Sequence, residues 1–137
     1  DMSPLIFLKS VFRKKRIRLY NNGLSLRSYT YIDDVVNYII KSIRNSVFLK
    51  DKKNYHKIYN IGNNNPVELM DYIEALETSL GKTAEKELLP LQPGDVPETY
   101  ADVDDLVEQF GYKPSMSVKQ GVENFAVWYK EYNNIKD

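Results

Sequence analysis

Helix-type apolar spacing recurs five times along this chain, and only short extended runs and polar turns lie between the repeats. Alternation of helices with single short strands favours an α/β fold, in which helices cover each strand. We therefore predict one α/β domain over residues 1–137, with few short strands and about five helices. The helical faces are predicted from Leu5, Leu8, Val11 and Phe12; Val36, Ile39, Ile40, Ile43 and Val47; Leu69, Ile73, Leu76 and Leu80; the stretch 102–111; and Val118, Val122, Phe125, Tyr129 and Tyr132.

Capping and turn residues predict where the elements begin and end. Ser3-Pro4 is typical of a helix start, with a serine cap followed by proline at the first helical position. Asp33-Asp34 suit the N-terminus of the second helix, where carboxylates are stabilised. The other predicted helix signals are Asn65-Pro66 with Glu68, Gly81, Asp102, Gly111, and Ser117 with Gln120. The predicted extended runs are Ile17–Tyr20, Tyr29–Ile32, Ile58–Ile61 and Glu87–Leu89.

The composition excludes several kinds of site. The chain has no cysteine and a single histidine, His56, so disulfides, cysteine-based zinc sites and His-rich metal sites are excluded and no metal site is expected. No apolar run approaches the roughly 20 residues that span a bilayer. The N-terminus also lacks the layout of a signal peptide. We expect a cytoplasmic protein that does not contact membranes.

Charge is divided unevenly between two parts of the chain. Residues 1–57 carry 13 Lys and Arg against 4 Asp and Glu, and residues 58–137 carry 6 against 15, which gives net charges of +9 and −9. Such asymmetry indicates a nucleic-acid face, a missing partner, or two parts that attract each other, and internal pairing is favoured. The basic run Arg13–Arg18 has few aromatic neighbours for bases, so a solvated turn is favoured over a nucleic-acid site.

The chain contains no sequence that would bind a dinucleotide. Neither G-x-G-x-x-G nor G-x-x-x-x-G-K-[ST] follows any predicted strand, so no backbone cradle for a pyrophosphate is expected. Tyr132 and Lys136 have the Tyr-x-x-x-Lys spacing of a proton-transfer pair, but they lie at the C-terminal end, where fraying is expected. We predict no catalytic and no cofactor-binding residue in this chain.

Two segments carry chemistry suited to binding a ligand. Arg27 stands among neutral residues before a predicted extended run, and its guanidinium needs an anion there. That anion is either a phosphate, which fits the planar donor fork, or a carboxylate of the acidic part of the chain. The turn Gln92–Asp95 offers an amide donor, a glycine backbone and a carboxylate that can accept hydrogen bonds from sugar hydroxyls.

Six segments resemble, in collinear order, the C-terminal region of the extended short-chain dehydrogenase/reductases, in the UDP-glucuronate 4-epimerase group of NAD-dependent sugar-nucleotide epimerases. They cover nearly the whole chain but only the C-terminal minority of a family member. The resemblance implies a small substrate-binding lobe that lacks the N-terminal Rossmann sheet. The segments are Asp1-Met2 with the following helix, Leu19–Asn21, Arg27–Asp34, Tyr59–Gly62 with Pro66–Glu77, Leu91–Val96 and Asn124–Tyr129.

The resemblance also implies a binding site for a UDP-sugar. Arg27 would pair with the diphosphate, and Leu19 and Tyr20 would lie along the uracil. The side chains that would line the ribose-phosphate channel are Gln92, Asp95 and Thr99. Two positions depart from the common pattern: many relatives have arginine where Gln92 stands, and Ser28 replaces a usual aspartate.

The implied parent enzyme interconverts UDP-glucuronate and UDP-galacturonate with NAD. Its glycine fingerprint and its catalytic tyrosine and lysine belong to an N-terminal half, so this chain is not expected to be catalytic by itself. The implied partners are a UDP-sugar, an N-terminal cofactor-binding half, and further copies of the chain through apolar surface that the cofactor lobe would cover. A non-catalytic remnant, or a partner subunit of a split epimerase, is the alternative hypothesis.

Overall fold

The computed structural model describes residues 3–44, 57–111 and 113–135. Across these residues five helices alternate with a few short strands, which confirms the predicted α/β class. None of the described helices is long and apolar enough to cross a membrane. The elements are α1 (Ser3–Phe12), β1 (Ile17–Leu19), a 3-10 turn (Asn21–Gly23), β2 (Leu26–Arg27), α2 (Ile32–Arg44), β3 (Val67–Glu68), α3 (Leu69–Leu80), β4 (Lys86–Leu88), α4 (Asp104–Phe110) and α5 (Val118–Tyr132).

The chain divides into two compact units. The first unit comprises the chain up to Arg27, Val67–Thr99 and the chain from Ser117 onward. The second unit comprises Ser28–Pro66 and Tyr100–Met116. All six residues predicted to bind the nucleotide sugar belong to the first unit.

Three helices form the core of the first unit, and α3 contacts both α1 and α5. The predicted stripe on α3 is confirmed, since Leu69, Ile73, Leu76 and Leu80 are all buried. Burial of each such side chain contributes roughly 1.5–3 kcal/mol relative to exposure. The helix ends at Gly81, whose φ of 60° is the left-handed conformation expected of a glycine at this position.

The strands of the first unit make two separate pairs. β1 and β4 are parallel, with Leu19 opposite Leu88, and β2 and β3 are antiparallel, with Arg27 opposite Val67. Parallel pairing places the carboxyl ends of β1 and β4 side by side. Open α/β sheets bind ligands beyond the carboxyl ends of their strands.

Internal ion pairs account for part of the basic run. Arg16 lies 2.8 Å from a carboxylate oxygen of Glu85, and Arg18 lies 3.6 Å from one of Glu87. Both pairs join the basic and acidic parts of the chain, and in the second unit Lys57 and Asp105 do so at 3.5 Å. Pairing within the chain, the favoured interpretation of the charge asymmetry, therefore takes up two of the arginines that a nucleic-acid site would need.

An aromatic cluster forms the core of the second unit. Tyr38 of α2 is buried together with Val103, Leu106 and Phe110. The rings of Tyr38, Tyr59 and Phe110 meet edge to face, with centroids 5.2 to 6.2 Å apart. Burial, with a smaller contribution from Tyr59, raises the pKa of Tyr38 above its ordinary value of 10.0. This cluster fixes α2 and α4 against each other.

Buried polar groups hold the loops of the second unit. The carboxylate of Asp34, only 6% exposed, accepts hydrogen bonds from the backbone N–H groups of Ser115 at 3.4 Å and Met116 at 3.1 Å. Buried Asn63 donates from its side chain to the Met116 carbonyl at 3.3 Å, and from its backbone to Thr30 Oγ1 at 3.0 Å. The start of α2 and the loop before α5 are thus tied together through side chains.

Two of the predicted extended runs are wrong. The strand expected at Tyr29–Ile32 lies instead at Leu26–Arg27, and α2 already begins at Ile32. No strand forms at Ile58–Ile61, and Ile58 is 84% exposed. An apolar run becomes a strand only where another strand pairs with it, and composition does not reveal the partner. The predictions at Ile17–Tyr20 and Glu87–Leu89 are confirmed to within one residue.

The predicted start of the third helix at Asn65-Pro66 is also wrong. Val67–Glu68 pairs with β2, the helix begins only at Leu69, and the Leu69 N–H donates to the Ser25 carbonyl at 2.9 Å. Asn63 Oδ1 instead accepts from the Asn65 N–H at 3.1 Å, which makes an Asx-type turn. A local capping pattern has been overridden by strand pairing.

The starts of the last two helices are predicted more successfully. Ser117 Oγ accepts from the Gln120 N–H at 3.2 Å, as predicted for α5. Asp102 Oδ1 accepts from the Asp104 N–H at 3.1 Å, and α4 ends at Gly111 with φ of 58°. Val47, His56 and Lys136, which also figure in the sequence predictions, lie outside the described residues.

Candidate functional site

The site is built around the loop from Leu89 to Thr99, which is fastened to the first unit at both ends. At its start, the Leu89 N–H donates to the Leu19 carbonyl at 2.9 Å, and the Leu89 carbonyl accepts from the Asn22 N–H at 2.8 Å. These bonds continue the pairing of β1 with β4 past the end of β4. Leu19 and Tyr20 therefore border the beginning of this loop.

The other end of the loop is fastened to β2. The Leu26 N–H donates to the Pro97 carbonyl at 3.0 Å, and the Leu26 carbonyl accepts from the Thr99 N–H at 3.1 Å. Glu98 consequently forms a parallel bridge with Leu26. Thr99 is thus held by its backbone beside the strand that carries Arg27.

Between these ends the loop turns sharply at Gln92–Asp95. The Asp95 N–H donates to the Gln92 carbonyl at 3.1 Å, and Gly94 has a φ of 89°. Proline at the second position and glycine with positive φ at the third are typical of a type II turn. Every residue from Leu91 to Thr99 is exposed, so the side chains of Gln92, Asp95 and Thr99 are accessible to a ligand.

Arg27 joins β2 to the loop through its guanidinium group. Nη1 donates to the carbonyls of Leu26 at 2.8 Å and Pro97 at 3.1 Å, and Nη2 donates to the carbonyl of Val96 at 2.9 Å. Within the described part of the chain, no carboxylate lies within ion-pair distance of Arg27. The sequence left open whether Arg27 pairs with a phosphate or with a carboxylate of the chain. Among the described residues, it pairs with no carboxylate.

The remaining donors of Arg27 give it capacity for an anion. A guanidinium has five N–H groups, and three are engaged by carbonyls. A positive charge held by carbonyl dipoles alone keeps its net charge, so a phosphate brought to this edge of the loop would be attracted to it.

Gln92, Asp95 and Thr99 thus belong to one loop, and Tyr20 and Arg27 border it. Leu19 belongs to the same arrangement, but it has 0% exposure and its carbonyl already accepts from the Leu89 N–H, so it is closed to a ligand in this structure. The carbonyls of Val96 and Pro97, which hold Arg27, were missed by the sequence predictions. Backbone acceptors carry no residue-type signal, and only the pairing of β2 with the loop could have indicated them.

A groove elsewhere on the first unit, of about 430 Å³, contains none of the predicted residues. It is lined by Lys14, Glu77 and Lys82 among others. In it Glu77 Oε1 accepts hydrogen bonds from Lys86 Nζ at 2.7 Å and from the Ala84 N–H at 2.9 Å. This carboxylate already has partners that fix the turn after α3, which indicates a structural role.

Comparison with known proteins identifies the family. No protein-family model matches the chain. Protein CapI of Staphylococcus aureus is 41% identical over 143 residues, which cover 96% of this chain and 43% of CapI. A probable UDP-glucuronate 4-epimerase of Rhizobium meliloti is 36% identical, over 96% of this chain and 42% of that protein. The chain belongs with the C-terminal region of the UDP-glucuronate 4-epimerase group. The resemblance stated from the sequence motifs is confirmed.

A solved structure agrees with this assignment to the UDP-glucuronate 4-epimerase group. The UDP-glucuronic acid 4-epimerase of Bacillus cereus, determined with UDP-glucuronic acid and NAD, superposes with a TM-score of 0.79 at 28% identity. The match covers 96% of this chain and 40% of the Bacillus chain. The fold is therefore that of the C-terminal lobe of an extended short-chain dehydrogenase/reductase, and the chain spans less than half the length of these relatives.

Among the described residues, the glycines do not form the backbone cradle of a dinucleotide site. Its positive-φ glycines at positions 23, 81, 94 and 111 are isolated in turns and helix ends. At Gly62 an added Cβ would meet Ala101 Cβ at 2.4 Å, so that glycine makes room for protein and not for a phosphate.

Proposed function

We propose that this chain, over residues 1–137, is the UDP-sugar-binding part of a nucleotide-sugar epimerase resembling UDP-glucuronate 4-epimerase. One observation carries the proposal: the guanidinium of Arg27 lies against the loop that holds Gln92, Asp95 and Thr99, with no carboxylate partner among the described residues. A diphosphate is the anion that this arrangement fits, because it can accept from the donors of Arg27 that the carbonyls leave free.

Each of the other residues has a role that follows from its position. The ring of half-buried Tyr20 would lie along the uracil, and fully buried Leu19, at the end of β1, would hold Tyr20 in position there. The Gln92 amide would donate to a phosphate oxygen, and the Asp95 carboxylate would accept from a ribose hydroxyl. Thr99, held by its backbone beside Leu26, would complete the ribose-phosphate channel.

In this proposal the chain binds and orients the substrate but does not carry out the reaction by itself. NAD, when bound by the rest of the enzyme, would accept and return a hydride at the sugar. The residues of this chain would hold the nucleotide at a distance from that chemistry and so fix the sugar in place. Epimerisation of UDP-glucuronate would therefore require both parts.

A thermal-shift titration with UDP tests the proposal. At about 100 times its Kd, UDP is expected to stabilise the chain by about 2.7 kcal/mol and to raise Tm by roughly 5–10 °C. Arg27→Gln should reduce this shift, because the amide keeps a donor but loses the charge. The matched control is Arg13→Gln, an exposed arginine of the first unit that lies outside the candidate site.

The comparison uses the UDP-dependent shift of each variant, because loss of the Arg27 hydrogen bonds also lowers Tm without ligand. A shift that is equal in wild type, Arg27→Gln and Arg13→Gln would contradict the assigned role of Arg27. Absence of any shift in folded wild-type protein would contradict nucleotide binding by this chain.

A further inference from the structure

The end of α1 carries a left-handed residue that is not a glycine. Lys14 has a φ of 52°, and every other positive-φ residue in the described part of the chain is glycine or asparagine. A residue with a Cβ is strained in this conformation, which glycine adopts freely and asparagine tolerates. Lys14 therefore stands at a position where the backbone favours glycine.

The end of α3 shows the residue that this geometry normally takes. After each of the two helices, the N–H that follows the left-handed residue donates to the carbonyl five residues back, at 2.8 Å for α1 and 3.1 Å for α3. The left-handed residue is Gly81 in α3 and Lys14 in α1. Both helices thus end in a Schellman-type motif. A lysine in place of the glycine indicates that its side chain has a use that offsets the backbone strain.

The side chain of Lys14 lines the groove of about 430 Å³ on the first unit, and so does the side chain of Lys82. Lys82 Nζ donates to the Phe12 carbonyl at 3.2 Å and lies 3.8 Å from the centroid of the Phe12 ring. Since Phe12 is the last residue of α1, Lys82 is held beside the turn that contains Lys14. Among the described residues neither lysine forms an ion pair with a carboxylate. The groove therefore offers two ammonium groups to an anion.

The other lining residues of this groove supply hydroxyls and carboxylates. Thr78 and Thr83 are exposed, and so is Glu74. The charge of the second carboxylate, Glu77, is offset by Lys86 Nζ at 2.7 Å. A carboxylate accepts hydrogen bonds and repels an anion, so Glu74 suits the hydroxyl groups of a ligand. A ligand that matches the whole groove carries both an anionic group and hydroxyls.

We infer that this groove binds a phosphate ester of a polyhydroxylated compound, of the sugar phosphate class. The phosphate would accept from Lys14 and Lys82, and the hydroxyls would donate to Glu74. The volume of about 430 Å³ lies within the roughly 300–1,000 Å³ of small-molecule sites, which leaves room for more than a phosphate. The groove shares no residue with the candidate nucleotide-sugar site, so this inference goes beyond the proposed function.

Lys14→Gly separates the backbone from the side chain in a thermal-unfolding experiment. Without ligand, this variant should have a Tm about 2–5 °C above that of the wild type, because glycine relieves the left-handed strain. The matched control is Lys15→Gln, which removes an adjacent exposed charge outside the groove and should change Tm by less than about 2 °C. A lower Tm for Lys14→Gly would overturn the inference, because the lysine would then serve the helix end itself.

Isothermal titration with glucose 6-phosphate, inorganic phosphate and glucose measures the binding. The wild type should bind glucose 6-phosphate more tightly than either of the other two compounds. Lys14→Gly should weaken this binding by about 10-fold or more, and Lys15→Gln by less than about 3-fold. Glu74→Gln should weaken binding of glucose 6-phosphate by about 3-fold or more without weakening that of inorganic phosphate. Because Lys14→Gly is expected to be the more stable protein, unfolding would not explain its loss of binding.

Three results would overturn the inference. The first is equal affinity of wild type and Lys14→Gly for glucose 6-phosphate, or no binding by either. The second is equal affinity of the wild type for glucose 6-phosphate and inorganic phosphate, which would reduce the groove to a general anion site. The third is loss of binding in Arg27→Gln, which would place the sugar phosphate at the candidate nucleotide-sugar site. Lys14→Gly should leave the UDP-dependent shift unchanged, so failure of this inference is distinguishable from failure of the proposed function.

Discussion

The packing of Gly62 against Ala101 in the second unit predicts a specific stability defect and its rescue. A Cβ added at Gly62 would lie 2.4 Å from Ala101 Cβ, and the next atoms, Thr30 Oγ1 and Ala101 Cα, are 3.8 and 3.9 Å away. Carbon atoms prefer separations of about 3.5–4.0 Å, so one backbone must move by roughly 1 Å. Overpacking of this kind costs about 1–3 kcal/mol. We expect the upper part of that range, because the clashing atom is attached directly to the backbone and has no rotamer to change.

The rescue follows from the same distances. Ala101→Gly removes the clashing atom and by itself should cost about 0.5–1 kcal/mol, mainly through backbone entropy. The double variant should then be more stable than the sum of the single variants by about 2 kcal/mol. Urea denaturation followed by circular dichroism gives the four free energies of unfolding. Gly94→Ala serves as the control, because Gly94 has open space around it and a positive φ, so its cost should simply add to that of Ala101→Gly.

Additive behaviour of Gly62→Ala and Ala101→Gly would refute the reasoning, as would a Gly62→Ala variant as stable as the wild type. Either result would mean that the two backbones do not approach each other closely.

Three further predictions concern stability. Asp34→Asn should lower the free energy of unfolding by about 1–3 kcal/mol in urea denaturation, because an amide has only one acceptor oxygen for the N–H groups of Ser115 and Met116. As the control, Asp33→Asn changes an exposed carboxylate and should alter the free energy of unfolding by less than about 0.5 kcal/mol. Ser117→Ala should cost about 1 kcal/mol through loss of the α5 cap, whereas Ser117→Asp should retain most of the stability. The pKa of the Tyr38 phenol is higher in the folded protein than in the unfolded chain, where it is near 10. Its contribution to stability is therefore complete at pH values below the pKa of the unfolded chain, and it is lost as the pH rises through the pKa of the folded protein. Between pH 9 and 11, Tyr38→Phe should therefore lose less stability than the wild type, and an equal pH dependence would contradict this assignment.

Features set by neighbouring residues could be predicted from the sequence. The α3 stripe, the glycine ends of α3 and α4 and the Ser117 cap all depend on contacts within one helix or one turn, so spacing alone located them. The strands depend on partners far away in the chain. β3 exists because Val67 lies opposite Arg27, and neither residue type indicates that pairing.

The candidate site shows the same division. Arg27 and the Gln92–Asp95 turn could be selected from residue types and from the resemblance to a family. That Arg27 is held by the carbonyls of Val96 and Pro97 could not, because every residue carries the same acceptor. The exposure of the aliphatic face of α2 was equally out of reach, since helical periodicity defines a face but not what covers it. The exposed residues of that face are Ile32, Val36, Ile39, Ile40 and Ile43.

Isothermal titration of wild type and Arg27→Gln with UDP and with uridine tests the diphosphate assignment most directly. Uridine lacks the diphosphate, so its affinity should be the same for both proteins. UDP should bind the wild type about 10- to 150-fold more tightly than Arg27→Gln, which corresponds to the roughly 1.5–3 kcal/mol of a charge-assisted hydrogen bond. Equal UDP affinity for the two proteins, or an equal loss of UDP and uridine binding in Arg27→Gln, would contradict the assignment of Arg27 to the diphosphate.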